Sequence, residues 1–179
     1  MKVNIHYNKQ KEIAINYDFL DSPFGEMLVM AHDNKICYLG FVNENRYNKE
    51  EVLNIAKQSF KNIKVDFTNS NLNDIGSRIF TNSSVDILLI GTLFQIDVWQ
   101  ALLKIPAGKV ISYEELAKSV DNLDKNINYT RATANAVGKN KISYIIPCHR
   151  VISKSGSLHN YLWGPELKQK ILKAEGVNF

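Results

Sequence analysis

The chain is expected to fold as a mixed α/β (α+β) protein, with strands and a helix in its first half and short helices in its second. Segments of alternating apolar residues dominate up to about residue 90, capped helical patterns take over from Thr92, and no repeat or low-complexity stretch interrupts either half. The length of 179 residues allows one domain or two small ones, and 45% hydrophobic residues suffice for a real core. The composition shift sets a boundary near residues 88–91, giving domains 1–88 and 89–179.

In the first half, EIAINYDFL reads as a strand, and GEMLVMA and KICYLGF flank the short turn HDN as an antiparallel hairpin. In NKEEVLNIAKQSF the apolar residues Val52, Ile55, Ala56 and Phe60 recur at spacings of three and four, the mark of one buried helical face. KVDF and VDILLI supply further strands. Between them the Asn- and Ser-rich stretch 68–84 is expected to be loop with a helical turn over 75–80.

In the second half, Thr92 and Gln95 stand at capping-box spacing, and Phe94, Val98, Leu102 and Ile105 make a stripe that Pro106 and Gly108 end. Ser112 and Glu115 repeat the device ahead of YEELAKSV, which buries Leu116 and Val120 before the polar loop DNLDKNIN. Thr130 is expected to cap a third helix, RATANAVG, with Gly138 at its C-cap. Two short helices joined by a turn fit a helix-turn-helix or an ordinary helical hairpin equally well. Ala134 and Asn135 have little reach into base edges, so such a helix would read phosphate and groove shape, with Arg131 its one long side chain near the start.

The net charge is +4, and the second half is the basic one: 12 Lys and Arg against 7 Asp and Glu from Gly91 onward, compared with 10 against 11 before it. An anionic partner would therefore be met by the half carrying Cys148. Cys37 and Cys148 form no C-x-x-C or Cys/His cluster, so no structural zinc site is expected, and Cys37 in NKICYLGF reads as core in a reducing compartment. MKVNIHYNKQ lacks the apolar region of a secretory signal, and no stretch is apolar enough to span a membrane, which leads to the expectation of a cytoplasmic protein.

The most informative segment is ISYIIPCHRVI, residues 142–152, where Cys148 follows a proline and precedes His149 and Arg150. Positive charge and a proton acceptor beside a thiol lower its pKa and raise its thiolate fraction. Neighbouring side chains on an extended chain point to opposite faces, so either the chain turns after Pro147 or a water bridges Cys148 and His149.

Taken in order, GTLFQIDVWQALLKIPAGKVISYEELA, RATANAVGKN, IPCHRVI, YLWG and KAEG resemble the O6-alkylguanine-DNA alkyltransferases, closely over about 90 residues and loosely through SPFGEMLVMAHDNKICYLGF. The resemblance implies an RNase H-like N-terminal domain and a helix-rich, winged-helix-like C-terminal domain that binds DNA and accepts the alkyl group. It implies that Cys148 takes the alkyl group, that His149 deprotonates it through a water, that Glu175 orients the histidine, and that Asn140 is the hinge tying the helix-turn-helix to the active-site loop. By the same resemblance Tyr113 protonates the leaving base and crowds a phosphate, and Arg131 replaces the flipped nucleotide, with Thr130, Ala132, Ala134 and Asn135 completing the DNA-binding face. Val151 and Leu162 would face the guanine edge and Tyr161 would wall the pocket. The implied reaction moves an alkyl group, chiefly methyl, from guanine O6 and also from thymine O4 in double-stranded DNA to the cysteine, once per molecule. It needs base flipping but neither metal nor cofactor. A monomer is expected.

The chain departs from the family pattern in three places. The loop DNLDKNINYT is longer and lacks the usual Gly and Pro, Tyr129 and Thr130 are bulkier than the residues expected before the arginine, and His159 stands where relatives carry glycine. His159 with Trp163 is expected to narrow the pocket and disfavour large alkyl groups such as benzyl. A methyl-sensing activator role is not expected. Alkyltransferase-like binding proteins lack the acceptor cysteine that Cys148 supplies, and a Cys-His hydrolase would need an oxyanion hole that nothing here evidently provides.

Overall fold

A computed structural model describes residues 1–81, 83–124 and 126–178. The chain divides into two compact units, Met1–Ile90 and Gly91–Phe179, and its fold class is mixed α/β.

In the first unit, β1 (Lys2–Tyr7), β2 (Glu12–Leu20), β3 (Met27–His32), β4 (Lys35–Phe41), β5 (Lys64–Asn69) and β6 (Ser84–Leu89) form one sheet in the order β1-β6-β4-β3-β2-β5. The expected hairpin is β3–β4: His32 pairs with Lys35 across Asp33 and Asn34, both at positive φ, as a two-residue turn matched to strand twist requires. Met27 to Ala31 are buried without a break, so β3 is covered on both faces, and Cys37 on β4 is core. Helix α1 (Lys49–Gln58) starts at a capping box between Asn48 and Glu51 and buries Val52 and Ala56. The short helix α2 (Asn73–Arg78) begins two residues before the expected turn, because the Asp18 carboxylate accepts from Leu72 N–H at 3.1 Å. Strand β1 was not anticipated from sequence. Its partner, parallel β6, lies about 80 residues away, and such a pairing leaves no local signature.

The second unit contains α3 (Leu93–Leu103), β7 (Ile111–Ser112), α4 (Tyr113–Ser119), α5 (Thr130–Gly138), a 3-10 turn (Cys148–Arg150), β8 (Val151–Ile152) and α6 (Pro165–Ala174). Both expected capping boxes are present: Thr92 Oγ1 accepts from Gln95 N–H at 3.3 Å, and Ser112 Oγ accepts from Glu115 N–H at 3.2 Å. Val98, Leu102 and Ile105 are buried, while Phe94 is half-buried and packs on Tyr129, with ring centroids 6.2 Å apart. Tyr129 is thus engaged with α3. The Trp99 indole crosses to α5, where its N–H donates to the Ala136 carbonyl at 2.9 Å, and Thr133, Ala136 and Val137 give α5 a small buried face that permits this close approach.

Two expectations about α5 need correction. Thr130 is the first helical residue rather than the cap; its N–H is taken by Asn128 Oδ1 at 2.9 Å, and Tyr129 holds the N-cap position without a side-chain bond. Gly138 is still helical, and Lys139 is the C-cap with ordinary negative φ, so no left-handed glycine ends this helix. Helix α6 was not read from sequence either. Gly164 at φ 98 and Pro165 at the first helical position start it.

The Trp99 contact fixes how α3 holds α5. Trp99→Phe removes one of two donors to the Ala136 carbonyl, which keeps Lys139 N–H at 3.1 Å, and is expected to cost about 0.5–1.5 kcal/mol, read as a lower urea midpoint with unchanged secondary structure.

Candidate active site

The chain does turn after Pro147. Cys148, His149 and Arg150 form one 3-10 turn, with Arg150 N–H donating to the Pro147 carbonyl at 3.0 Å. Strand β8 follows directly and pairs in parallel with β7, Ser112 opposite Ile152. Because Ser112 is also the cap of α4, this pairing sets Tyr113 close enough to Cys148 for the two to interact electrostatically.

Asn140 braces the loop that precedes the cysteine. Its Oδ1 accepts from Ile142 N–H at 3.0 Å, and its Nδ2 donates to the Ile146 carbonyl at 2.9 Å and to Cys148 Sγ at 3.1 Å. A donor aimed at sulfur favours the thiolate, yet burial is the larger effect and pushes the Cys148 thiol up. This corrects the expectation that His149 and Arg150 lower it. His149 is fully buried, which holds its pKa down and keeps it neutral, and Arg150 faces elsewhere.

Glu175, at the C-cap of α6, is what Arg150 faces. Arg150 Nε donates to Glu175 Oε2 at 2.9 Å and Nη2 to Oε1 at 2.7 Å, while Nη1 donates to the Ile105 carbonyl. His149 Nε2 lies 3.0 Å from the same Oε1. Burial would raise the Glu175 pKa, but the bonds from His149 and Arg150 outweigh it and hold it at about 2. An ionised Glu175 can only accept, so Nε2 carries the imidazole proton and Nδ1 presents its lone pair. Nδ1 is buried with no hydrogen-bond partner.

Two glycines make this possible. Gly176, at φ 88, ends α6 in the left-handed region directly after Glu175, and Val177 N–H closes back on the Leu172 carbonyl at 3.0 Å. Gly108, at φ 80, passes the Glu175 backbone so closely that a Cβ would lie 3.0 Å from its carbonyl oxygen.

A cleft of about 690 Å³ is lined by Tyr113, Asn128, Thr130, Arg131, Ala134, Asn135, Gly138, Ser153 and Asn160. Of the sequence-predicted DNA-binding residues, Tyr113, Thr130, Arg131, Ala134 and Asn135 meet there, while Ala132 is exposed outside it. Val151 and Tyr161 are buried and Leu162 is 40% exposed. His159 is exposed, Trp163 is core with its indole N–H on Ser143 Oγ at 2.7 Å, and neither lines the cleft, where Asn160 stands instead.

The sequence reading missed the Arg150 clamp and Lys168. Lys168 is 1% exposed, its Nζ donates to the Val151 carbonyl at 2.7 Å, and desolvation lowers its pKa to about 8 although the nearby Cys148 opposes this. Its spacing to Ile171 and Leu172 on the buried face of α6 was the available signal. Among the described residues no three His, Cys, Asp or Glu side chains gather as a metal site, and no helix is long and apolar enough to cross a membrane.

A single buried thiol, attended by an amide donor and by a neutral histidine that a clamped carboxylate orients, defines a protein built around a cysteine nucleophile. Known proteins make that class specific. The profile of the 6-O-methylguanine DNA methyltransferase DNA-binding domain matches residues 93–177. The methylated-DNA–protein-cysteine methyltransferase of Metallosphaera sedula is 32% identical over 168 residues, covering 90% of this chain and 94% of that one. The regulatory protein Ada of Salmonella typhimurium is 42% identical over 92 residues, which are 51% of this chain but only 25% of that protein. The crystal structure of Mycobacterium tuberculosis OGT in complex with DNA matches with a TM-score of 0.66 at 28% identity, over 91% of this chain and 92% of that one. This chain belongs to the methylated-DNA–protein-cysteine methyltransferase family.

The clamp sets an acid limit. Glu175 titrates lower folded than its ordinary value of 4.5, so its contribution to stability is full above that value and is lost as pH falls toward about 2. Glu175→Gln is expected to flatten the stability profile in that window, measured by urea unfolding at stepped pH.

Proposed function

We propose that this protein repairs alkylated DNA directly, moving an alkyl group, chiefly methyl, from O6 of guanine in double-stranded DNA to Cys148 in a single turnover. The observation that carries this reading is Cys148 Sγ held by Asn140 at 3.1 Å in the same turn as a His149 whose Nε2 is committed to Glu175 and whose Nδ1 is unpartnered. Nδ1 takes the thiol proton through a water, and the Asn140 amide and the Lys168 ammonium stabilise the thiolate. The S–C bond forms as the C–O6 bond breaks, and the electron pair stays with guanine. Tyr113 gives guanine its proton and is resupplied with the one held on His149. Burial and the nearby Cys148 raise the Tyr113 pKa, which keeps this donor protonated. The thioether product has no good leaving group, so the protein is consumed.

The cleft along α5 is read as the DNA surface, with Arg131 filling the gap left by the flipped guanine and with Thr130, Ala134 and Asn135 against backbone and minor groove. The first unit is read as RNase H-like, and α3, α4 and α5 with the β7–β8 pair as winged-helix-like. The same displacement chemistry extends to O4-alkylthymine. The protein is read as a DNA-associated monomer.

Incubation with a duplex containing O6-methylguanine, followed by intact-mass measurement, is expected to show one added methyl group per chain, located on Cys148 and absent from Cys148→Ala. No mass gain, or equal gain by the variant, rejects the assignment. Arg131→Ala is expected to slow transfer on duplex by roughly 10- to 100-fold, the equivalent of a few kcal/mol of unstacking no longer offset. Its loss should be much smaller on a single-stranded oligonucleotide, as compared by single-turnover kinetics.

A further inference from the structure

Tyr144 takes no part in the chemistry set out above, yet its backbone is the most unusual at the site. Among the described residues, four that are not glycine have positive φ: Asp33, Asn34, Asn122 and Tyr144. The first three are Asp or Asn, which tolerate the left-handed region, whereas a tyrosine at φ 69 is strained and persists only where its surroundings over-determine it. Bonds on both sides of Tyr144 do so. Ile142 N–H is held by Asn140 Oδ1 at 3.0 Å, Ile145 N–H by the Ser143 carbonyl at 2.9 Å, and Ile146 N–H by the Ile142 carbonyl at 3.0 Å.

The strained backbone delivers the tyrosine ring onto the imidazole of His149. The two rings are near-parallel, at 15°, with centroids 6.1 Å apart, an offset stack. The single bond from Nε2 to Glu175 anchors one point of the imidazole but does not by itself fix its plane, and a flat ring against one face restricts that plane.

We propose that Tyr144 is a positioning residue for His149, its ring fixing the imidazole plane in which Nδ1 serves the Cys148 thiol. The inference rests on the proposed alkyl transfer for its kinetic consequence, but not for its structural one. The groups facing His149 are Glu175 and Lys168 from the end and body of α6, Arg150 from its own turn, and Tyr144. Tyr144 is half-buried, so its removal opens one face of the imidazole to water while the charged neighbours stay in place. His149, now held down mainly by burial, then moves toward its ordinary pKa, and the pH below which it no longer serves as a base rises.

The test compares Tyr144→Phe, which keeps the ring, with Tyr144→Asn, which accepts the left-handed backbone without it, and Tyr144→Leu as a second ring-less variant. Single-turnover methyl transfer is measured against pH on an O6-methylguanine duplex, alongside duplex affinity and the His149 titration followed by NMR of the ring. Tyr144→Phe is expected within about twofold of the parent. The ring-less variants are expected to bind DNA equally, to transfer roughly tenfold more slowly, and to show the acid limb and the His149 titration both moved to higher pH. A folded ring-less variant with the parent's rate, acid limb and His149 titration overturns the proposal. If the parent itself transfers no methyl group, the repair reading fails, while the His149 titration still decides the role of Tyr144.

Discussion

The second unit is organised around one part-buried carboxylate. Glu175 takes a two-point bond from Arg150 and a third from His149, so the turn that carries the cysteine is locked to the end of α6 through adjacent residues of the same turn. Charge-assisted bonds of this geometry are the strong ones, and they hold Glu175 ionised against the cost of burial. Its ionisation in turn decides the tautomer of His149. Removing Glu175 would strip His149 and Arg150 of their shared acceptor at once, so the arrangement holds as a unit.

The chain builds this clamp with short-range devices. Gly176 stops α6 one residue after Glu175, Gly108 lets the segment after α3 pass its backbone, and the Ile105 carbonyl takes the remaining arm of Arg150. The two-residue pairing of β7 with β8 then sets the spacing between the cysteine turn and the head of α4, and with it the distance from Cys148 to Tyr113. Trp99 fixes α5 to α3. Tyr113, Cys148 and Glu175 therefore sit at element ends, where caps and turns define direction more sharply than helix packing does.

Electrostatically the resting site is guarded. Burial holds the thiol protonated and the histidine neutral, and the desolvated Lys168 is the nearby cation ready to favour the thiolate. Such a cysteine is a weak nucleophile until something draws its proton away, which limits stray alkylation and oxidation of a group that could be used only once.

Local chemistry in the sequence was enough to mark much of this protein. The capping boxes at Thr92 and Ser112, the β3–β4 hairpin, the apolar stripe of α3 and the Pro-Cys-His-Arg run were all legible, because each is set by residues within a few positions of one another. The cap at Thr130, strand β1 and the sign of the Cys148 shift were not. Asn128 Oδ1 takes the amide of Thr130 itself and the helix already includes Thr130, β1 needs a partner 82 residues away, and a pKa depends on how much water the fold removes. The sequence alone determined the local caps and turns and set Cys148, His149 and Arg150 side by side. Only the tertiary structure decided their states, turning Arg150 toward Glu175, burying Lys168 and laying Tyr144 on His149, since desolvation and ring orientation arise from contacts that no local pattern encodes.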